Sequence, residues 1–278
     1  WADRPIVASY AGDRPAIVVD TSAQPQLSFR DAANGFPQYS QSSGGWQIET
    51  IALESSTGVA LALDSSATPR VAYGRSAALR YGSRVNGTWS IADVSGVSSA
   101  REPALALDTS GHSHLAFVDY GSRSLFYASD ASGNWTTVTL ELSATSTFYS
   151  VALAVDAGGA AHISYGAYDG SGGYLKYATN RTGTWASTVI DGAVGGNVGL
   201  MSSVAVDASG AAHISYLDVL SGRLKYANDV AGAWRTYELD YASPGASGWG
   251  DTAIAIDAGR HIHIVYFWGN SLLYASRP

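Results

Sequence analysis

Six times along these 278 residues an apolar strand ends in Asp, crosses a short turn of small residues and re-enters an apolar or aromatic strand. After five of the six Asp residues a Trp follows 25 to 29 residues later. Repetition of this kind constrains a chain more than any single motif, because each unit must bury its apolar face against the next. Four copies read plainly: Ala104 to Phe117, Ala152 to Tyr165, Ser203 to Tyr216 and Ala253 to Tyr266. They hold Asp108, Asp156, Asp207 and Asp257, each with a His six residues on (His114, His162, His213, His263). In the two degenerate copies Asp20 and Asp64 keep their place, while Gln26 and Arg70 replace the His.

The steps between successive Asp residues are 44, 44, 48, 51 and 50 residues. That is the size of a four-stranded propeller blade, and too long for a leucine-rich or ankyrin repeat. In the fifth unit four strands can be read outward, A to D: Ser203 to Asp207, Ala212 to Asp218, Arg223 to Ala227 and Trp234 to Leu239. Each is rich in β-branched or aromatic residues and bounded by Gly, Ser or Asn. The last unit stops after its strand C. Trp1 precedes Asp20 by 19 residues, and the repeat Trp residues precede their next Asp by 18 to 23, so Trp1 to Ser9 is expected to supply the missing outer strand. Joining the two ends in one sheet removes an open edge. The expectation is an all-β, six-bladed β-propeller in one domain, with four-stranded antiparallel blades at about 10–52, 53–95, 96–142, 143–192, 193–240 and 241–278 plus 1–9.

Composition narrows the function. With 46% hydrophobic residues, 31 Gly, 17 Tyr and 8 Trp the chain can bury a large core, and no stretch shows sustained helical periodicity. No apolar run of membrane-spanning length occurs, so no membrane span is expected. The chain opens on Trp1 without a signal peptide, so any export signal is expected to lie outside it or to have been removed. Without cysteine there are no disulfides, no thiol catalysis and no cysteine metal sites. Lys176 and Lys225 are the two lysines; the net charge is −7, and no basic stripe suited to nucleic acid is present. Richness in Ser, Thr, Gly, Tyr and Asn points to a secreted or surface protein.

The repeated Asp and His residues are expected to be structural. An Asp ending strand A accepts N–H bonds within the turn, and the following Gly supplies positive φ. One Asp–His pair per blade cannot converge on a single ion, so neither a metal nor another cofactor is expected. The repeat Trp residues read as outer-strand packing. Asn86, Asn134 and Asn180 lie in glycosylation-type sequons, at turns between strands C and D where Asn and Gly are wanted anyway.

Function is expected where the copies differ, in the long connections from D to A and the B to C loops. Trp249 and Trp268 fall outside the repeat positions, in the last blade, with Phe267, Asn270 and Asp251 nearby. Aromatic faces beside a carboxylate and an amide suit a pyranose. Tyr149 lies in the lengthened connection before the fourth repeat. Six residues before each strand A Asp stand Arg14, Gly58, Glu102, Ser150, Met201 and Asp251, expected to ring the channel mouth. There Glu102 and Asp251 would serve as the acid and base of a glycoside hydrolase or lyase, and Arg14 would bind a carboxylate. The B to C loops offer Arg30, Asp31, Arg75, Asp119, Tyr120, Arg123, Tyr168 and Asp169, where several weak sugar sites would raise avidity, while Asp218 reads as hairpin punctuation.

The repeat resembles bacterial secreted β-propellers of the sialidase, Asp-box and lectin-like group. The residues that carry the likeness are Asp156, Gly159, His162-Ile163-Ser164-Tyr165 and Leu175-Lys176-Tyr177-Ala178, with counterparts at 207 to 227. The strict Asp-box pattern is not matched, and no three-arginine carboxylate clamp is legible. Six-bladed fucose-binding lectins look similar in plan, but place an arginine where His162 or His213 stands here. Calcium-dependent lactonases are also six-bladed, yet the Asn ligands they use are missing from the six-residue set. The expectation is a lectin-like propeller binding glycan or polysaccharide through its loops. The alternatives are a polysaccharide-cleaving enzyme and a protein-interaction platform.

Overall fold

The structure is a computed structural model that describes residues 12–42, 45–241, 251–268 and 271–277. It is a six-bladed β-propeller, with no helix among the described residues. The first sheet runs in order β1 (Gly12–Val19), β2 (Pro25–Asp31), β3 (Pro37–Ser42), β4 (Trp46–Thr50), and the second β5 (Val59–Leu63), β6 (Pro69–Arg75), β7 (Ala78–Val85), β8 (Thr88–Asp93). The third comprises β9 (Arg101–Leu107), β10 (Ser113–Asp119), β11 (Ser124–Ser129) and β12 (Thr136–Leu142). The fourth comprises β13 (Thr147–Val155), β14 (Ala161–Tyr168), β15 (Gly173–Thr179) and β16 (Ala186–Gly192). The fifth has β17 (Val198–Val206), β18 (Ala212–Asp218), β19 (Arg223–Asn228) and β20 (Arg235–Tyr241). In the sixth, three strands are described: β21 (Thr252–Ile256), β22 (Ile262–Trp268) and β23 (Ser271–Arg277). The expected closing strand, Trp1 to Ser9, lies outside the described residues.

The described chain divides into two compact units, Trp1–Asp119 with Ala128–Thr137, and Tyr120–Tyr127 with Val138–Pro278. In the second to fifth sheets the second strand is the most deeply buried. Val71 and Tyr73, Leu115 and Phe117, Ile163 and Tyr165, and Ile214 and Tyr216 are wholly inaccessible. β-branched and aromatic residues fit that place because a strand covered on both faces gains burial from every side chain.

Adjacent sheets share their cores. In the first unit Tyr39 and Ile51 of the first sheet pack with Leu61, Val71 and Tyr73 of the second. In the second unit Leu175 and Tyr177 pack with Ile214 and Tyr216, and Leu224 and Tyr226 with Ile264 and Tyr266. The second sheet turns between β7 and β8 on Asn86 (φ 51°) and Gly87 (φ 80°), the two-residue hairpin whose twist matches that of its strands. Turn geometry therefore accounts for this Asn.

Candidate functional site

The repeated polar residues form a local network in each sheet, closed in the fourth. Asp156 Oδ1 accepts the N–H groups of Gly158 (2.9 Å) and Ala160 (2.8 Å), closing the first turn. Its Oδ2 lies 3.2 Å from His162 Nε2, and His162 Nδ1 lies 2.5 Å from Tyr177 Oη. A neutral imidazole protonated at Nε2 satisfies both contacts, donating to Asp156 and accepting from Tyr177. His213 meets Tyr226 at 2.6 Å, and His263 meets Tyr274 at 2.6 Å. Where His is missing, Arg70 donates to Asp64 at 2.9 Å, and the Tyr39 hydroxyl reaches Gln26 at 2.5 Å. Burial lowers the pKa of His114, His162 and His213, holding the rings neutral. These networks orient turns, and among the described residues no His, Asp and Glu side chains cluster in a way that could hold a metal ion.

The repeat Trp residues lock neighbouring sheets. Trp89 packs edge-on against Tyr39, Trp135 against Tyr81 and Trp234 against Tyr177, at centroid distances of 5.4, 5.0 and 4.8 Å. Trp185 meets Tyr127 at 4.8 Å. Each Trp comes from the sheet after that of its Tyr, a geometry favoured by the ring quadrupoles.

The expected channel-mouth row has a backbone feature that the sequence did not reveal. The pairs Arg14-Pro15, Glu102-Pro103, Ser150-Val151 and Met201-Ser202 each stand opposite one residue of the neighbouring strand: Phe29, Phe117, Tyr165 and Tyr216. They are β-bulges. Glu102, Ser150 and Met201 adopt φ of 49°, 53° and 52°, a left-handed conformation that costs a side-chain-bearing residue about 1–2 kcal/mol. Bulges are used beside active sites to re-aim side chains. Those at Ser150 and Met201 also bond to the next sheet. Ser150 Oγ accepts the Met201 N–H at 2.9 Å, and the Ser150 carbonyl accepts the Ser202 hydroxyl at 2.9 Å. Thr252 Oγ1 donates to the Met201 carbonyl at 2.8 Å. Asp251, the residue before Thr252, is exposed. Glu102 is half-buried on β9, in the other compact unit.

Tyr149 precedes the fourth-sheet bulge and pairs with Gly166. Its hydroxyl is buried without a hydrogen-bond partner among the described residues. Leaving such a group unpaired costs about 1–3 kcal/mol, so its persistence calls for an explanation. Burial and then the nearby Tyr168 raise its pKa to about 12, keeping the phenol protonated.

The remaining candidates separate. Tyr168 ends β14, exposed, and shares the Tyr149 neighbourhood. Asp169 accepts the Ser171 hydroxyl (2.7 Å) and N–H (2.9 Å) and the Gly172 N–H (3.1 Å), which lower its pKa and make it a turn residue. Asp31 does the same for Ala33 N–H (2.8 Å) and Asn34 Nδ2 (3.0 Å). Asp119 is buried at the end of β10, Tyr120 is exposed after it, and Arg123 donates to the Ala144 carbonyl. Arg30 reaches the Ser56 carbonyl at 2.9 Å, and Arg75 pairs with Glu54 at 3.0 Å. Trp249 and Asn270 lie outside the described residues. So do the side chains of Arg14, Phe267 and Trp268, whose backbones run in β1 and β22.

No family profile and no curated protein matches this sequence. Solved structures do match in fold. An ulvan lyase of polysaccharide lyase family 25, bound to -[GlcA(1-4)Rha3S]-, aligns with TM-score 0.69 and 12% identity over 96% of this chain and 79% of that one. The α-L-arabinofuranosidase of Fusarium graminearum aligns with TM-score 0.58 and 12% identity over 99% and 94%. A protein of unknown function from Dyadobacter fermentans gives 0.63 and 12% over 96% and 93%. At such identity the likeness establishes the fold, and it stops short of the sialidase and Asp-box group. It also corrects the lectin expectation, because the matching folds are mainly enzymes that cut polysaccharides. The physical reason for the misreading is that aromatic and amide groups hold a sugar in a lectin and in an enzyme alike. What separates the two is an acid or base at the bond, which loop composition does not reveal.

Proposed function

We propose that this chain is a polysaccharide-cleaving enzyme with Tyr149 as its general acid. The observation that carries the reading is the buried, unpartnered Tyr149 hydroxyl, held protonated with a pKa raised to about 12 by burial and by Tyr168. A positioned acid of this kind donates its proton to the departing glycosidic oxygen. Cutting a polymer fits the extracellular placement expected from composition.

The pKa favours elimination over hydrolysis. Glycosidases with an oxocarbenium-like transition state use a carboxylic acid as proton donor. A phenol is far weaker and is better matched to a leaving alkoxide formed after a base has removed a proton beside a sugar carboxylate. Asp251, exposed one residue before the Thr252 contact to the Met201 bulge, is the base candidate in the same compact unit. Glu102 occupies the corresponding bulge in the other unit and is tested beside it.

The test is incubation with a panel of neutral, uronate-containing and sulfated polysaccharides, following new reducing ends and the ultraviolet absorbance of an unsaturated product. Tyr149→Phe is expected to lower turnover about 100- to 10,000-fold, with Asp251→Asn lowering it too and Glu102→Gln reporting on the other bulge. Full turnover by Tyr149→Phe, or no cleavage of any polymer by the parent chain, overturns the proposal.

A further inference from the structure

Three arginines converge on one pocket. The cavity, about 290 Å³, lies between the fifth and sixth sheets within the second compact unit, at the ends carrying the A to B and C to D turns. Around it stand Arg235, Arg260 and Arg277, with His213, Tyr226 and Asn228.

Arg260 and Arg235 are departures from the other copies. Arg260 has φ 68° at the turn position held elsewhere by Gly111, Gly159 and Gly210, or by Ala23 and Ala67. A long side chain there forgoes the conformational ease of glycine, and residues in sparsely populated backbone regions gather at functional sites. Arg277 shares its position with Arg84 of the second sheet, where the third, fourth and fifth sheets carry Asp130, Asn180 and Asp229. Those three accept the N–H groups of Ser113 (2.6 Å), Ala161 (2.8 Å) and Ala212 (2.7 Å). Arg235 follows its repeat Trp, where the other copies have Gln47, Ser90, Thr136 and Ala186.

Among the described residues the cations are only partly compensated. Arg260 pairs with Asp207 at 2.9 Å, and the Arg277 guanidinium lies over the Tyr237 ring at 5.7 Å. The Arg235 side chain has no hydrogen bond or ion pair among the described residues. His213, almost wholly buried, has no hydrogen-bond partner at Nε2, although Asp207 Oδ2 is 3.6 Å away. A surplus of guanidinium charge in a chain of net charge −7 marks an anion site, because the forked donors match a carboxylate or sulfate. Tyr226 and Tyr237 stack at 5.8 Å and supply aromatic surface beside it.

We propose that this pocket is a secondary binding site for the anionic group of an acidic saccharide, a uronate carboxylate or a sulfate ester, holding the polymer away from the cleavage site. The substrate class rests on the polysaccharide-cleaving reading; the anion site rests on the arginines.

The experiment is calorimetric titration of the intact chain with oligogalacturonate, with sulfated dextran oligosaccharide and with neutral dextran, without reference to turnover. Binding of at least one charged probe is expected, weakening with salt, and the stronger arm identifies the anion. Arg235→Gln and Arg277→Gln should each weaken it about tenfold or more. Arg260→Gly should weaken it while leaving the turn intact, since glycine suits that φ. Tyr149→Phe should bind as the parent does, so loss of the catalytic proposal leaves this one standing, and the reverse. Equal binding of neutral dextran, or no response to the arginine substitutions, overturns it. The sequence expectation for Trp1 to Ser9 would bring Trp1 against Tyr226, so binding that appears only in Trp1→Ala also overturns it.

Discussion

The ring of Tyr149 occupies the space that a side chain on Gly166 would need: a methyl there would meet Tyr149 Cε2 at 2.1 Å. Gly166→Ala is therefore expected to push the phenol out of place. Overpacking of this kind costs about 1–3 kcal/mol. Chemical denaturation should show that loss, and turnover should fall about as far as in Tyr149→Ala.

Tyr149→Phe separates stability from catalysis by sign. Removing a buried hydroxyl that has no partner removes a desolvation cost, so stability should hold or rise by up to about 1 kcal/mol. A purely structural hydroxyl would give the opposite result. The check is the melting temperature of the variant beside its turnover on the best polysaccharide found.

Much of the fold was legible in the sequence because the repeat is carried by local chemistry. The expected second strand of the fifth unit, Ala212 to Asp218, is β18, and the Asp–His pairs sit in the turns assigned to them. The bulges were not legible. One extra residue at Ser150 or Met201 shifts the register without altering the apolar pattern that marks a strand. The arginine pocket was hidden for a different reason: Arg235, Arg260 and Arg277 belong to two repeats and meet only because their sheets pack side by side. Tyr149 sat among the loop candidates, but its unpaired hydroxyl is a tertiary fact.

Acid should weaken the structure through the buried histidines. The pKa of His114, His162 and His213 in the folded chain is lowered by burial, against the pull of Asp108, Asp156 and Asp207. The unfolded chain then binds more protons in the window between the folded values and about 6.5. Stability is complete above that pH and declines as pH falls through the window. His162→Gln should flatten the slope of melting temperature against pH below about 6.5, at the expense of stability at pH 8, where the Tyr177 and Asp156 contacts of the imidazole are lost.

The packing of Trp234 on Tyr177 is energetically separable from the rest of the shared core. A cycle of Trp234→Ala, Tyr177→Leu and the double variant should give a coupling of about 0.5–1.5 kcal/mol beyond simple burial, the worth of an edge-on aromatic pair. A coupling near zero in denaturant unfolding would mean that the two rings only fill space.

The repeat itself indicates where the chain can be stabilised. Ala23 and Ala67 adopt φ of 60° and 59° at the turn position where Gly111, Gly159 and Gly210 have φ of 80° to 83°. Left-handed Ala costs about 1–2 kcal/mol, and replacing it by Gly gives back about 0.5–1 kcal/mol through the freer unfolded chain. The balance favours Gly. Ala23→Gly and Ala67→Gly are each expected to raise unfolding free energy by up to about 1 kcal/mol, and because the two turns lie in different sheets the gains should add. The opposite change, Gly159→Ala, meets no neighbouring atom within 4 Å, so any loss it causes measures backbone strain alone.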